Sequence, residues 1–259
     1  MIESIARPVG YVQSLDRGLA VICCFSAEWP RLTLSEVARQ TGLSRAAARR
    51  SLITLQTLGY VGSDGRQFYL TPRVLTLGYS YLSSLSLADV AQAHLSDLAN
   101  EVHESCSASV LDGLDIVYVA RAATKRIMTI SLSVGTRLPA YATSMGRVLL
   151  AALPGDQLGS YLDAATLAPL TERTIVDQDR LRTEVERTRG RGWSLVDQEL
   201  EDGVRSIAVP VHDSAGRVVA AVNTSAHATR VPLTTLQKIF LPKLRDCAAA
   251  IDAELRTVR

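Results

Sequence analysis

From Leu34 to Leu52 the chain reads LSEVARQTGLSRAAARRSL, and few architectures accommodate that order. Thr33 or Ser35 is placed to cap a short helix through Gln40, with Leu34, Val37 and Ala38 turned inward. Gly42 then ends it, as glycine does when a helix stops in the left-handed conformation. Leu43 plugs the turn, Ser44 offers a second cap, and another helix runs from about Arg45 to Leu58. At about 100° per residue, Ala48, Leu52 and Leu55 make its buried stripe. Arg50 and Ala46 then point away from that stripe, and Arg49 lies to one side. A small residue in the first helix, a tight glycine turn and a second helix with a polar N-terminal end are the requirements of a helix-turn-helix. Ser44, Arg45 and Ala46 sit where such a helix first enters a major groove. Arginine is the side chain best suited to grip guanine edges or phosphates with two parallel bonds.

The next residues strengthen this reading. Tyr60–Ser63 and Arg66–Leu70 flank Asp64-Gly65, a strong hairpin signal. A hairpin here makes a wing, with Arg66 just past its tip and placed for the phosphate backbone. Upstream, Leu15, Leu19, Ile22 and Cys23 recur at helical spacing, so residues 14–25 predict an amphipathic helix ended by Trp29 and Pro30. Residues 1–80 hold nine arginines and no lysine against five acids, while the remainder is slightly acidic. A basic head on a mildly acidic body fits a polyanion-binding segment. The alternative is a helical hairpin whose arginines only solvate a surface, and the wing argues against it.

After the wing, residues 73–86 put Leu75, Leu77, Tyr79, Leu82 and Leu85 on a broad apolar face, as a linker helix packing on a partner would. Residues 88–104 predict a cleaner amphipathic helix with Val90, Leu95, Leu98 and Val102 inward. Strands are expected at 106–111, 115–120 and 127–134, the first two joined at Asp112-Gly113. Helices follow at 143–152, 155–163 and 177–189. Further strands fall at 193–197, 204–212 and 217–225, and a last helix over 233–257 is interrupted or bent near Pro242. The fold class is therefore α+β. A winged helix-turn-helix over 1–72 is joined by a linker helix at 73–87 to an α/β domain at 88–259.

Several classes are excluded. The longest uncharged stretch, residues 74–88, is broken by serines, tyrosines, a threonine and a glycine, and is shorter than the roughly 20 apolar residues of a membrane span. The N-terminus lacks the apolar core and cleavage site of a secretory signal. Cys23, Cys24, Cys106 and Cys247 form no CxxC pair and read as reduced thiols of a cytoplasmic protein. No GxSxG, P-loop or HExxH motif is present. Gly190-Arg-Gly192 lacks a third glycine, and His94 and His103 are nine residues apart, a poor metal spacing. Neither catalytic residues nor a metal nor a cofactor is expected. Cys106 followed by Ser107 is the weak enzyme alternative. A purely architectural DNA-binding protein would not need so long a C-terminal segment.

The pattern SLDRGLAVICCFS, followed by LTLSEVARQTGLSRAAARRSLITLQTLGYV, resembles the IclR family of bacterial transcriptional regulators. So do VGTRLPAYATSMGRVLLA, the run Asp197–Val211 and Ala220–Ser225, in the family's order along nearly the whole chain. DGRQFYLTPRVLTLGYSYLSS, EVHESCSASVLDG and YVARAATKRIMTI resemble more narrowly the branch regulating protocatechuate, 4-hydroxybenzoate and β-ketoadipate catabolism. The resemblance implies a winged-helix head and a GAF-like effector domain. It also implies a dimer, often paired into a tetramer on operator DNA. The recognition helix and wing read above give the expected operator contacts as Ser44, Arg45, Ala46, Arg49, Arg50 and Arg66.

For the effector it implies a polar lining of Ser144, the Met145 backbone, Asp197, Ser206, Asn223 and Ser225. The apolar lining would be Ile130, Leu138 and Val204. Some members carry cysteine at the position of Ser206 and serine at that of Asn223. Hydroxyls and an amide converging in an apolar cavity suit a small oxygen-rich acid of the protocatechuate, 4-hydroxybenzoate or 3-oxoadipate class. The helix starting after residue 143 favours an anion at its N-terminus. Arg137 is a possible counter-charge, with a solvated surface arginine as the alternative.

Overall fold

The computed structural model describes residues 8, 10–77, 87–124 and 132–256, and the chain divides into two compact units, Met1–Ser83 and Ser84–Arg259. The first unit contains α1 (Gln13–Cys23), β1 (Leu32–Thr33), α2 (Leu34–Thr41), α3 (Arg45–Thr57), β2 (Val61–Ser63) and β3 (Gln67–Leu70). Local chemistry sets its boundaries. Thr33 and Glu36 form a reciprocal capping box at the start of α2, Gly42 ends it at φ 66°, and Ser44 accepts a hydrogen bond from the Ala47 amide to open α3. Val21, Leu32, Val37, Ala48 and Leu52 are fully buried and make the small core.

Two features depart from the sequence expectation. Leu32–Thr33 pairs with Phe68 and Gln67, so the wing is a three-stranded sheet of order β1-β3-β2. The burial of α1 also falls on Val21 rather than on the Leu15–Leu19–Cys23 stripe, and Leu15 is 62% exposed. Spacing marks candidate stripes, but packing against α3 chooses between them. Leu15, Leu19 and Ile22 line a groove of about 630 Å³ with Arg50, Thr54, Leu58 and Leu77. Pro72–Val74 forms a 3-10 turn and residues 75–77 continue as helix. Tyr79, Leu82 and Leu85 of the expected linker helix lie outside the described residues.

The second unit is built on a six-stranded antiparallel sheet of order β6-β5-β4-β9-β8-β7. Its strands are β4 (Ser105–Asp112), β5 (Asp115–Ala122), β6 (Arg137–Pro139), β7 (Ser194–Asp197), β8 (Val204–His212) and β9 (Val218–His227). Strand alternation divides the side chains between two cores. Cys106, Ala108, Ile207, Val209 and Val222 face α4 (Leu87–Val102) and α8 (Leu241–Leu255). Ile116, Tyr118, Ala208 and Ala221 face α5 (Ser144–Ala152), α6 (Gly155–Ala164) and α7 (Gln178–Arg191).

The expected strand at 127–134 falls largely outside the described residues, and residues 132–136 are loop and turn. The edge strand is β6, too short to show a period-two pattern. The last helix is interrupted as expected, by a π-helical turn at Leu236–Phe240 that ends two residues before Pro242. A proline has no amide hydrogen to give the preceding turn, which accounts for the local unwinding.

Candidate DNA-binding and effector sites

The head presents its candidate residues from rigid supports. Ser44, Arg45, Ala46, Arg49 and Arg50 are all exposed, while Ala47 and Ala48 beside them are buried. Arg45, Arg49, Arg50 and Arg66 form no ion pair with any described residue, so their charges are available. The structure separates them by face. Arg50 lines the α1 groove with Ala47 and Ser51, whereas Arg45 and Arg49 are absent from its wall. At the wing tip, Asp64 accepts hydrogen bonds from the amides of Arg66 and Gln67 and from Arg31. Those two amides are the main reason its carboxyl is held below the usual carboxylate range. Gly65 takes φ 94°, and exposed Arg66 follows it. Gly62 is required because a Cβ there would meet the Tyr69 ring at 2.5 Å.

In the second unit, four expected polar residues share one place. Ser206 and Ser225 are direct cross-strand partners on β8 and β9, and the Ser206 hydroxyl bonds that of Ser144 at 2.8 Å. The Asn223 amide donates to the Ser225 hydroxyl at 3.0 Å. Ser206, Asn223 and Ser225 project from the sheet face covered by α5, which carries Ser144, because they alternate with Ile207, Thr224 and Ala226. Thr143 caps α5 through the Gly146 amide, leaving the amides of Ser144 and Met145 without a described partner. Gly146 cannot carry a side chain, since a Cβ would lie 2.1 Å from the Ala140 carbonyl oxygen. Buried Met145 receives a Ser109 hydroxyl bond on its sulfur, and Val204 and Leu138 lie on the same sheet face.

Other expected residues stand apart. Asp197 opposes Arg205, and their 2.8 Å ion pair lies on the sheet face opposite to Ser206. A second bond to Arg173 completes its commitment. Arg137 sits on the exposed β5–β6 edge, where Asp112 and Asp115 take its guanidinium and raise its pKa, Asp112 foremost. It is a surface ion pair rather than a free counter-charge. Ile130 lies outside the described residues. Sequence reading placed neither Arg121 nor Ser107 at the effector site, yet both join the polar row: Ser107 is the cross-strand partner of both Arg121 and Asn223. Their only advance signal was the polar alternation of SCSAS in a strand otherwise rich in small apolar residues.

The enzyme alternative finds no chemistry here. Burial pushes the Cys106 thiol up to about 12, so it stays protonated near neutral pH. Among the described residues no cluster of His, Cys, Asp and Glu could hold a metal, and no helix is long and apolar enough to cross a membrane.

Two family models match this chain: the IclR helix-turn-helix domain over residues 14–65, and the bacterial transcriptional regulator IclR C-terminal region over residues 79–253. The chain belongs to the IclR family. As an IclR-family protein it is a DNA-binding transcriptional regulator and not an enzyme. It is 47% identical over 244 residues to the Pca regulon regulatory protein of Pseudomonas putida, covering 94% of this chain and 84% of that one. A crystal structure of a transcriptional-regulator candidate from Rhodococcus sp. RHA1 is 56% identical, with a TM-score of 0.86 over 96% of this chain and all of that one. The inducer-binding domain of the Acinetobacter PobR transcription factor, a double mutant in complex with 3-hydroxybenzoic acid, is 33% identical. Its TM-score is 0.61 over 66% of this IclR-family chain and 98% of that domain.

Proposed function

We propose that this IclR-family regulator controls an operon of aromatic-acid catabolism in the bacterial cytoplasm. The effector is a small carboxylate of the protocatechuate, 4-hydroxybenzoate or 3-oxoadipate class, bound between α5 and the sheet. The observation that carries this reading is the gathering of Ser144, Ser206, Asn223 and Ser225 beside the free amides of the α5 N-terminus. Its support from relatives is the Pca regulon of the Pseudomonas putida protein and the aromatic acid held by the Acinetobacter domain. An effector that prefers one state of the protein shifts operator affinity by the same coupling free energy.

The test is a thermal-shift series with the three acids, since a ligand bound only by the folded state raises its stability. It is followed by the double substitution Ser206→Ala with Ser225→Ala. Effector response in a reporter strain falls while effector-free operator binding stays near wild type. Unchanged response, or collapse of operator binding, moves the effector elsewhere.

Operator recognition in this reading is by Ser44, Arg45, Ala46 and Arg49, with Arg66 on phosphate. The protein acts as a dimer, or a tetramer on DNA, reading an inverted repeat. The apolar groove bearing Leu15, Leu19, Leu58 and Leu77 is the surface a second copy covers. Leu15→Glu with Leu19→Glu gives a monomer by light scattering; an unaltered dimer places the interface elsewhere.

A further inference from the structure

The polar row behind α5 contains a charge that the fold itself does not use. Arg121 on β5 is half-buried and forms no ion pair with any described residue. Among the described residues its guanidinium donates only to the Ser107 hydroxyl, at 3.3 Å. Arg147, Arg191 and Arg205, which are also drawn inward, each meet a carboxylate. Burial without a counter-ion disfavours the charged form, and it lowers the Arg121 pKa. A charge held under that penalty calls for an anion from outside the chain.

Its orientation is imposed. Beyond Val117, β5 has no β6 partner. The Gln92 side chain of α4 instead accepts from the Arg121 amide and donates to its carbonyl, both at 3.2 Å. A second unmet group lies two strands away in the same row. Asn223 is 4% exposed, and its Oδ1 has no hydrogen-bond partner. Rotating that amide by 180° keeps the Ser225 bond, with the hydroxyl now donating, and turns the orphan into an NH2 donor. Ser107, 2% exposed, stands between the two.

We propose that Arg121 is the anion receptor of the effector site, receiving the effector's carboxylate together with Ser107 Oγ and the Asn223 side-chain amide. The assignment rests on the effector reading above and names the group that selects an acid over its neutral analogue. The guanidinium fork matches a carboxylate with two parallel bonds, which a lysine cannot reproduce.

The test uses isothermal titration of the full chain with protocatechuate and 4-hydroxybenzoate, and with their neutral carboxamides. For 3-oxoadipate the neutral probe is its dimethyl ester. Wild type prefers acid to neutral analogue. Arg121→Met weakens the acid by about ten- to a hundredfold and leaves the neutral analogue unchanged, so the preference collapses. Arg121→Lys falls between. Because Arg121→Met removes an unpaired, partly desolvated charge, the effector-free variant melts at or above the wild-type temperature. A purely structural arginine would lower that melting temperature and weaken acid and neutral analogue alike, which overturns the assignment. So does an Arg121→Met variant that binds acid with wild-type affinity and preference; the effector reading then survives without it. A wild-type chain that binds none of the three acids takes down the effector reading and this assignment with it.

Discussion

Arg147 and Glu199 meet as a two-pronged buried ion pair, with Nη1–Oε1 at 2.8 Å and Nη2–Oε2 at 2.5 Å. Two further bonds hold the pair: Arg147 Nε donates to the Tyr141 carbonyl, and the Ile175 amide donates to Glu199. The pair therefore ties α5, which presents Ser144, to the loop leading into β8, which presents Ser206. Removing one partner strands the other charge inside the protein. Arg147→Met or Glu199→Gln should each cost about 3–5 kcal/mol, and Arg147→Met with Glu199→Leu should recover much of the loss. Urea unfolding followed at Trp193 in a Trp29→Phe background measures both.

Division of the α3 arginines between two faces makes their substitutions unequal. Arg45→Ala and Arg49→Ala should each weaken specific operator binding by about 1–3 kcal/mol if they make bidentate base contacts. Arg50→Ala, on the α1 groove, should change it by under about 0.5 kcal/mol. Fluorescence anisotropy on an operator isolated by in vitro selection distinguishes the three. Equal losses would mean that α3 lies in the groove on a different face.

Arg66 follows a wing tip fixed by Asp64, and its expected partner is phosphate. Arg66→Ala should weaken binding to selected and unrelated DNA alike. It should also make the logarithmic salt dependence shallower by about one. A loss confined to the selected sequence would turn Arg66 into a base reader.

Thr33 ends β1 and caps α2. Thr33→Ala should cost about 1 kcal/mol and raise amide exchange in α2 about fivefold. The Thr33 amide and, next, its hydroxyl hold the Glu36 carboxyl below its ordinary value of 4.5. A carboxylate with a lowered folded pKa stabilises fully above its unfolded value, and that stabilisation is lost as pH falls through the folded one. Protection of the α2 amides, once corrected for the intrinsic pH dependence of exchange, should therefore fall on acidification in wild type, and less so in Thr33→Ala.

The head was legible because its chemistry is local: a cap, a glycine stop and an Asp-Gly turn each act within a few residues. What escaped depended on partners distant in sequence. The buried stripe of α1 is chosen by contact with α3, and β1 exists only because Phe68 and Gln67 lie beside it. Ser206, Asn223 and Ser225 came together as expected, since their spacing on two strands fixes their face. Asp197 did not join them, because one residue of register opposite Arg205 sends its side chain to the other face. Arg137 and Arg121 exchanged significance for the same reason. Asp112 and Asp115 neutralise the first, and no acid among the described residues pairs with the second.

Arg45, Ala46 and Arg49 are anchored only through their backbone, on a helix whose cap and core contacts belong to other residues. Among the described residues their side chains make no hydrogen bond or ion pair. Exchanging them alters what the helix reads without disturbing how it folds. The recognition surface is thus separable from the scaffold, and operator preference can drift or be redesigned at these positions while the effector domain is inherited intact.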